Sequence, residues 1–343
     1  MHSFDTAGPF ASGHDLAELP WFTLRDGRLA LHEPIGPIVD VHGHLALSYV
    51  RNRTVDLMAE TPRTEHYLDL QQPLDLGIYC NQNIDAAGLK AMGRDLTLRS
   101  MSNAGMRVTH TAPNLRREMA ELGIARTLLL PVELPMLSRN AEQYLEIAAQ
   151  EDGLVSFGSV HPADPRRERQ IHQQITAGAL GFKLHPAVQL FRPDARRPME
   201  LMEILQPLGL PLLFHCGPVG IELALSRKLA QVRHFEAMLQ TFRHVPVVLG
   251  HSGALQMDEA LELSRRHDNV WLDISCQCLP NVKRILQRAD PNRILFGSDW
   301  PFYHQAVPLA KVLLATQGQP SLRRKVLWEN AGALLGERAR AAA

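Results

Sequence analysis

The strongest chemical signal in the chain is the run Asp40-Val41-His42-Gly43-His44. Side chains alternate along a strand, so His42 and His44 are expected on one side, with Asp40 one step deeper on that side. Two imidazoles so spaced form half of a metal site, and Asp40 is placed to orient one of them. Further polar residues each close a short apolar run. Lys183 and His185 end Gly181-Phe182-Lys183-Leu184-His185-Pro186, and His215 follows Leu212-Leu213-Phe214. His251 follows Val247-Val248-Leu249-Gly250, and Asp299 follows Ile294-Leu295-Phe296-Gly297-Ser298. Any one of these could be a satisfied core residue. Burying such groups is costly unless they are paired or bind a metal, so their recurrence at the same end of successive runs points to one shared site.

Eight strand-length apolar runs are available to position that site: Ile38 to Val41, Thr127 to Val132, Leu154 to Val160, Leu180 to Leu184, Leu210 to Phe214, Val245 to Leu249, Val270 to Ile274 and Arg293 to Phe296. Near-continuous apolar runs of this length are typical of parallel strands buried on both faces. Helical spacing fills the gaps, as at Leu229, Val232, Phe235, Met238, Leu239 and Phe242, and at Val282, Ile285, Leu286 and Ala289. Pro198 and Gly209 bracket another helix before the fifth run. The expectation is an α/β fold, a (β/α)8 TIM-type barrel whose catalytic mouth lies at the strand C-termini.

About eighty residues separate the first two runs, far more than the roughly two to six of an ordinary βα loop. Asn114 to Leu122 reads as the first barrel helix. The rest, residues 45–112, reads as a cap inserted over the site, within a barrel domain of residues 35–343. Residues 1–34 form an N-terminal extension on the barrel's outside. The cap offers Arg51, Arg53, His110, Asn81 and Gln82 as candidate substrate contacts. His161 after the third run and Asp273 in the seventh are open to structural or catalytic roles.

Composition narrows the function. The 343 residues carry 36 basic and 36 acidic side chains, a formal net charge of zero. That balance gives no electrostatic footprint for nucleic acid or an anionic membrane, and makes a small molecule the expected partner. No apolar run approaches the roughly 20 residues of a membrane span. Met1 to Gly13 lacks a charged start followed by an apolar stretch, and four cysteines are too few for a disulfide framework. The expected compartment is the cytoplasm. Cys276 and Cys278, one residue apart, read as ordinary strand-end residues.

Together, Asp-Val-His-Gly-His, Gly-Phe-Lys-Leu-His-Pro, Phe-His-Cys-Gly, Gly-His-Ser-Gly and Phe-Gly-Ser-Asp-Trp-Pro resemble the amidohydrolase superfamily. More narrowly, they resemble its amidohydrolase-2 branch, which includes aminocarboxymuconate-semialdehyde decarboxylase and related hydrolases. The tail from Trp328-Glu329-Asn330-Ala331 to Leu334-Leu335-Gly336 is similar to that branch's closing helix. The resemblance implies that His42, His44, His215 and Asp299 bind a divalent metal, with Asp299 also a catalytic carboxylate. It makes His251 a catalytic histidine, or a ligand to a second metal. One Zn2+ suits the donors, and Mn2+ would also suit them. Lys183 either meets a substrate carboxylate, forms a structural ion pair or, if carboxylated, bridges two metals. His185 shares that ambiguity, and Arg51 stays a candidate for substrate contact.

The function so implied is a metal-dependent hydrolase using activated water on an amide, lactone or similar carbonyl of a small carboxylate-bearing substrate. The alternative is a nonoxidative decarboxylase of an aromatic or muconate-type acid on the same metal cage. A metal-free lactonase and a barrel serving only as a binding scaffold are further alternatives. A homodimer is the family-level expectation for assembly.

Overall fold

In the computed structural model, which describes residues 8–48, 55–135 and 137–336, the eight apolar runs become eight parallel strands. They are β1 (Ile38–Gly43), β2 (Ile124–Leu129), β3 (Leu154–Ser156), β4 (Phe182–Leu184), β5 (Leu212–His215), β6 (Val247–Gly250), β7 (Val270–Asp273) and β8 (Ile294–Leu295). β1, β2 and β3 pair in order as one sheet, and β4 to β8 pair in order as another. Parallel bridges join the two sheets at both edges. Gly158 pairs with Phe182 beyond β3, and Gly43 of β1 pairs with Trp300 beyond β8. Val41 N–H donates to Phe296 O at 2.9 Å, and Lys183 N–H donates to Gly158 O at 2.8 Å. Each strand therefore has a bonded neighbour on both sides.

Two apolar clusters hold this ring. Val39, Val41, Leu128, Val155, Leu213, Val248 and Leu295, drawn from six strands, form the smaller one, which can lie only inside the ring. The larger lies between strands and helices and includes Phe214, Phe235, Val282 and Ile285. The helical pattern around Leu229 to Phe242 is realised in pieces: Ala224–Leu229, the 3-10 turn Val232–Phe235 and Glu236–Thr241. The helix bracketed by Pro198 and Gly209 spans Arg196–Leu205, and Gly209 (φ +61°) closes the 3-10 turn that follows it.

The N-terminal extension contains an antiparallel hairpin, Phe22–Arg25 with Arg28–Leu31, whose Leu29, Ala30 and Leu31 are buried. The segment expected as a cap holds the helix Ala86–Leu96 and several 3-10 turns. Its main chain is bonded to barrel loops. Leu68 N–H donates to Phe302 O at 3.0 Å, Cys80 N–H to Cys276 O at 3.0 Å, and Leu279 N–H to Leu76 O at 2.7 Å. Arg51 and Arg53 lie outside the described residues. No helix among the described residues is long and apolar enough to cross a membrane.

Candidate active site

Each candidate group sits where a strand gives way to its loop. His42 is the penultimate residue of β1 and His44 follows its end; β5 ends on His215, and β6 runs straight into His251. Asp299 lies in the loop after β8. His251 (φ +53°), Cys276 (φ +63°) and Asp299 (φ +63°) all hold left-handed backbone. That conformation costs a non-glycine residue roughly 1 kcal/mol or more and persists only where its surroundings fix it. At Asp299 the fixing bonds are visible: its N–H donates to His42 O at 2.8 Å, and His44 N–H donates to Trp300 O at 2.7 Å.

Outer ring nitrogens set the imidazoles. His42 Nδ1 lies 2.6 Å from Asp273 Oδ2, and His44 Nδ1 lies 2.7 Å from Leu130 O. Both partners accept, so Nδ1 carries the proton and each Nε2 presents a lone pair. These Nε2 atoms approach Asp299 Oδ1, at 3.5 Å from His42 and 3.3 Å from His44. Lone pairs facing a carboxylate repel unless a cation or proton lies between them. Two donors about 2.1 Å from one tetrahedral zinc stand about 3.4 Å apart, so this spacing suits a shared ion.

His251 stacks on His42 with ring centroids 4.7 Å apart, its Nδ1 2.8 Å from Ser275 Oγ. The ligating atoms of His42, His251 and Asp299 all lie within 4.8 Å of one another. His215 stands 5.0 Å from His251 and stacks on His185 at 4.0 Å. Among the described residues His42 Nε2 and His215 Nε2 are buried without a hydrogen-bond partner, a costly state for a polar atom unless a ligand completes it. The donor set therefore fits a divalent metal.

Burial, reinforced by Lys183, pushes His42 towards its neutral form, and burial takes His251 down to about 4. Burial would raise Asp299, but His251, His44 and His42 outweigh it and hold the carboxyl well below its usual range. Lys183 is pushed down to about 8 by burial, against the pull of Asp299 and Asp273. Its Nζ makes no hydrogen bond or ion pair among the described residues.

These groups line a cavity of about 420 Å3, shared with Leu47, Tyr79, Asn81, Leu89, Met92 and Leu96 of the inserted segment. Several expectations change. Asp40 does not orient an imidazole. A register shift between Asp40 and Gly43 breaks the strand alternation, and Asp40 accepts instead from the amides of His42 and Ser298, Ser298 Oγ and Gln305 Nε2. Asp273 holds His42 in its place. His110 is outside the cavity, with Nε2 2.8 Å from Glu65 O. Gln82 accepts from Tyr79 N–H and does not line the cavity. His161 bonds Gln189 O and borders a separate groove. Cys276, read as an ordinary strand-end residue, donates its thiol to Asp299 Oδ2 at 3.2 Å.

Two functional features were missed in the sequence. Ser275, two residues beyond Asp273, was legible only as a polar strand end. Tyr79 lines the cavity with a buried hydroxyl that has no partner among the described residues, and it stands in no motif.

Comparisons with known proteins bear on the family and the fold. A family model described as Amidohydrolase matches residues 39–336. A search of curated proteins gives no significant match. Among solved structures, the chain is similar to an uncharacterized TIM-barrel protein from Bordetella bronchiseptica (TM-score 0.63, 17% identity, covering 89% of this chain and 100% of that one). It is similar to 2,6-dihydroxybenzoate decarboxylase from Rhizobium (TM-score 0.57, 13% identity, 87% and 98%). A third is described as a probable 2-pyrone-4,6-dicarboxylic acid hydrolase from Acinetobacter baumannii (TM-score 0.52, 13% identity, 87% and 99%). At these identities the solved structures support the fold.

Proposed function

The chain belongs to the amidohydrolase family, and from that premise we propose that it is a metal-dependent hydrolase of an amide, lactone or similar carbonyl in a carboxylate-bearing substrate. The observation that carries this reading is the approach of the His42 and His44 Nε2 atoms to Asp299 Oδ1 at 3.5 and 3.3 Å. His42, His44, His215 and Asp299 would hold the ion, zinc by the donor chemistry. The ion supplies Lewis acidity that polarises a carbonyl and eases deprotonation of water.

The remaining work falls to the chain's own groups. Among the described residues Asp299 Oδ2 is engaged only by the weak Cys276 donor, so it can take the proton of the attacking water. His251, oriented by Ser275, steadies charge on the carbonyl oxygen or returns a proton to the leaving group. Lys183 meets the substrate carboxylate. The inserted segment acts as the cap that shapes the cavity and limits water.

A second reading, nonoxidative decarboxylation of an aromatic or muconate-type acid, is favoured by Lys183 Nζ beside the same cage, which has no partner among the described residues. Metal per chain, measured by elemental analysis after purification without chelators, tests both. About one equivalent of zinc, lost in His42→Ala, is expected, together with hydrolysis of one or more members of a lactone and amide panel. Two equivalents would favour a carboxylated Lys183 bridge. Release of carbon dioxide from an aromatic acid would establish the second reading. No metal after reconstitution with zinc and manganese would sink both.

A further inference from the structure

The cavity changes character along its depth. Its ligating groups gather at the barrel end, while much of its outer wall is hydrocarbon. Leu89, Met92 and Leu96 line it from the helix Ala86–Leu96. Their spacing of three and then four residues puts them on one helix face. Leu190, Ile221 and Leu223 line it from the loops after β4 and β5.

Three polar side chains in this outer part are already committed. Asn81 donates to Val219 O at 3.1 Å and accepts from Tyr303 Oη. Thr97 donates to Gly93 O at 2.6 Å. The Glu222 carboxylate turns back on its own loop, accepting from Val219 N–H at 2.5 Å and Gly220 N–H at 2.9 Å.

The mouth itself is oily. Leu190 is 60% exposed, Ile221 40% and Leu223 81%. Single exposed leucines need no explanation; three converging on one cavity do. Leu190 also holds a left-handed backbone, φ +53°, which is costly for a leucine. Its neighbour Gln189 fixes that turn. The Gln189 side chain accepts from His185 N–H at 2.7 Å and donates to Glu133 O at 2.8 Å and Val160 O at 3.1 Å. The loop thus tolerates strain to hold a leucine over the entrance.

We propose that the substrate is amphiphilic: a carboxylate-bearing polar head at the barrel end, and a hydrocarbon tail running along the Leu89–Met92–Leu96 face to leave between Leu190 and Leu223. This rests on the reading above that Lys183 and the metal cage receive a carboxylate. A small acid without a tail would leave the outer walls in water and gain nothing from them.

The test uses the full-length, zinc-reconstituted protein, titrated calorimetrically with acetate, butanoate, hexanoate and octanoate. The dissociation constant is expected to fall by up to about fourfold for each added methylene. In the double variant Ile221→Ser with Leu223→Ser, whose parent side chains are exposed and hold no core, octanoate loses much of that gain while acetate binds as before. A flat series in the wild type would overturn the tail, and so would a slope unchanged in the variant, which marks adsorption elsewhere. Failure of every acid to bind would overturn the proposal too. Zinc content separates the two readings: a flat series on a protein holding its zinc removes the tail and leaves the metal site standing.

Discussion

Asp273 Oδ2 lies 2.6 Å from His42 Nδ1, tying β7 to β1 past the intervening β8. The same carboxylate accepts from His251 N–H at 3.2 Å and from Ser275 N–H and Oγ at 2.9 and 2.8 Å. Burial alone would raise its pKa, but His42 and these donors hold it near 2. It therefore keeps its charge against the outer nitrogen of a candidate ligand.

Asp273→Asn is expected to weaken zinc binding by about 10- to 100-fold, the usual effect of losing a carboxylate behind a ligating histidine. Competition with a chromophoric chelator measures it. Wild-type affinity in a folded variant would remove Asp273 from the site.

Gly297→Ala should damage the same link by steric means. A Cβ at Gly297 would stand 2.3 Å from Asp273 Oδ1 and 2.9 Å from His42 Cβ, so one of them must move. Overpacking of this kind costs about 1–3 kcal/mol. Urea unfolding with a chelator present should show that loss in the metal-free protein, and zinc affinity should fall as well. Unchanged unfolding would show that the neighbours yield without cost.

Tyr79→Phe isolates the hydroxyl that has no partner among the described residues. Removing an unsatisfied buried polar group is close to neutral for stability, so the melting temperature should hold or rise slightly. If that hydroxyl meets the substrate, kcat/KM should drop about tenfold, the size of one lost hydrogen bond. Equal kcat/KM would assign Tyr79 a packing role.

Glu133 gives a pH test away from the metal cage. Burial raises its pKa to about 7, despite bonds from the Ala141 amide and Ser138 Oγ. The unfolded chain has the ordinary value near 4.5, so between those values the folded state holds a proton that the unfolded state has released. Stability from this group is present below about pH 4.5 and is lost as pH rises through 7. Glu133→Gln should flatten the fall in unfolding free energy across that window. An equally steep fall in the variant would assign it to other groups.

Much of this was readable from the residues. All eight apolar runs contain or overlap a strand, because a strand buried on both faces leaves a continuous apolar trace. Their ends moved by a few residues where the apolar run continues past the ladder. β3 stops at Ser156 although apolar residues recur to Val160. The hairpin in the N-terminal extension went unread although Asp26-Gly27, both with positive φ, is a strong hairpin turn signal. At the site, the strand-end rule brought His42, His44, Lys183, His185, His215, His251 and Asp299 to one cavity. Alternation failed at Asp40 because a bulge cannot be counted from spacing. Tyr79 was hidden for another reason: its place depends on the path of the inserted segment, which no periodicity describes.

The main-chain bonds from the inserted segment to the barrel loops divide that segment by how fast its amides should take up deuterium. Leu68 and Cys80 are pinned to Phe302 and Cys276, so their protons should exchange with the slow barrel population. The helix Ala86–Leu96 is tied elsewhere: its Asp95 accepts from Tyr67 Oη at 2.8 Å and from the Met106 and Arg107 amides at 3.1 and 3.0 Å, so it should open together with that stretch of the inserted segment. Opening on that side of the cavity should then spread through the stretch around Met106 and Arg107 and leave the loops that carry Cys276 and Asp299 in place.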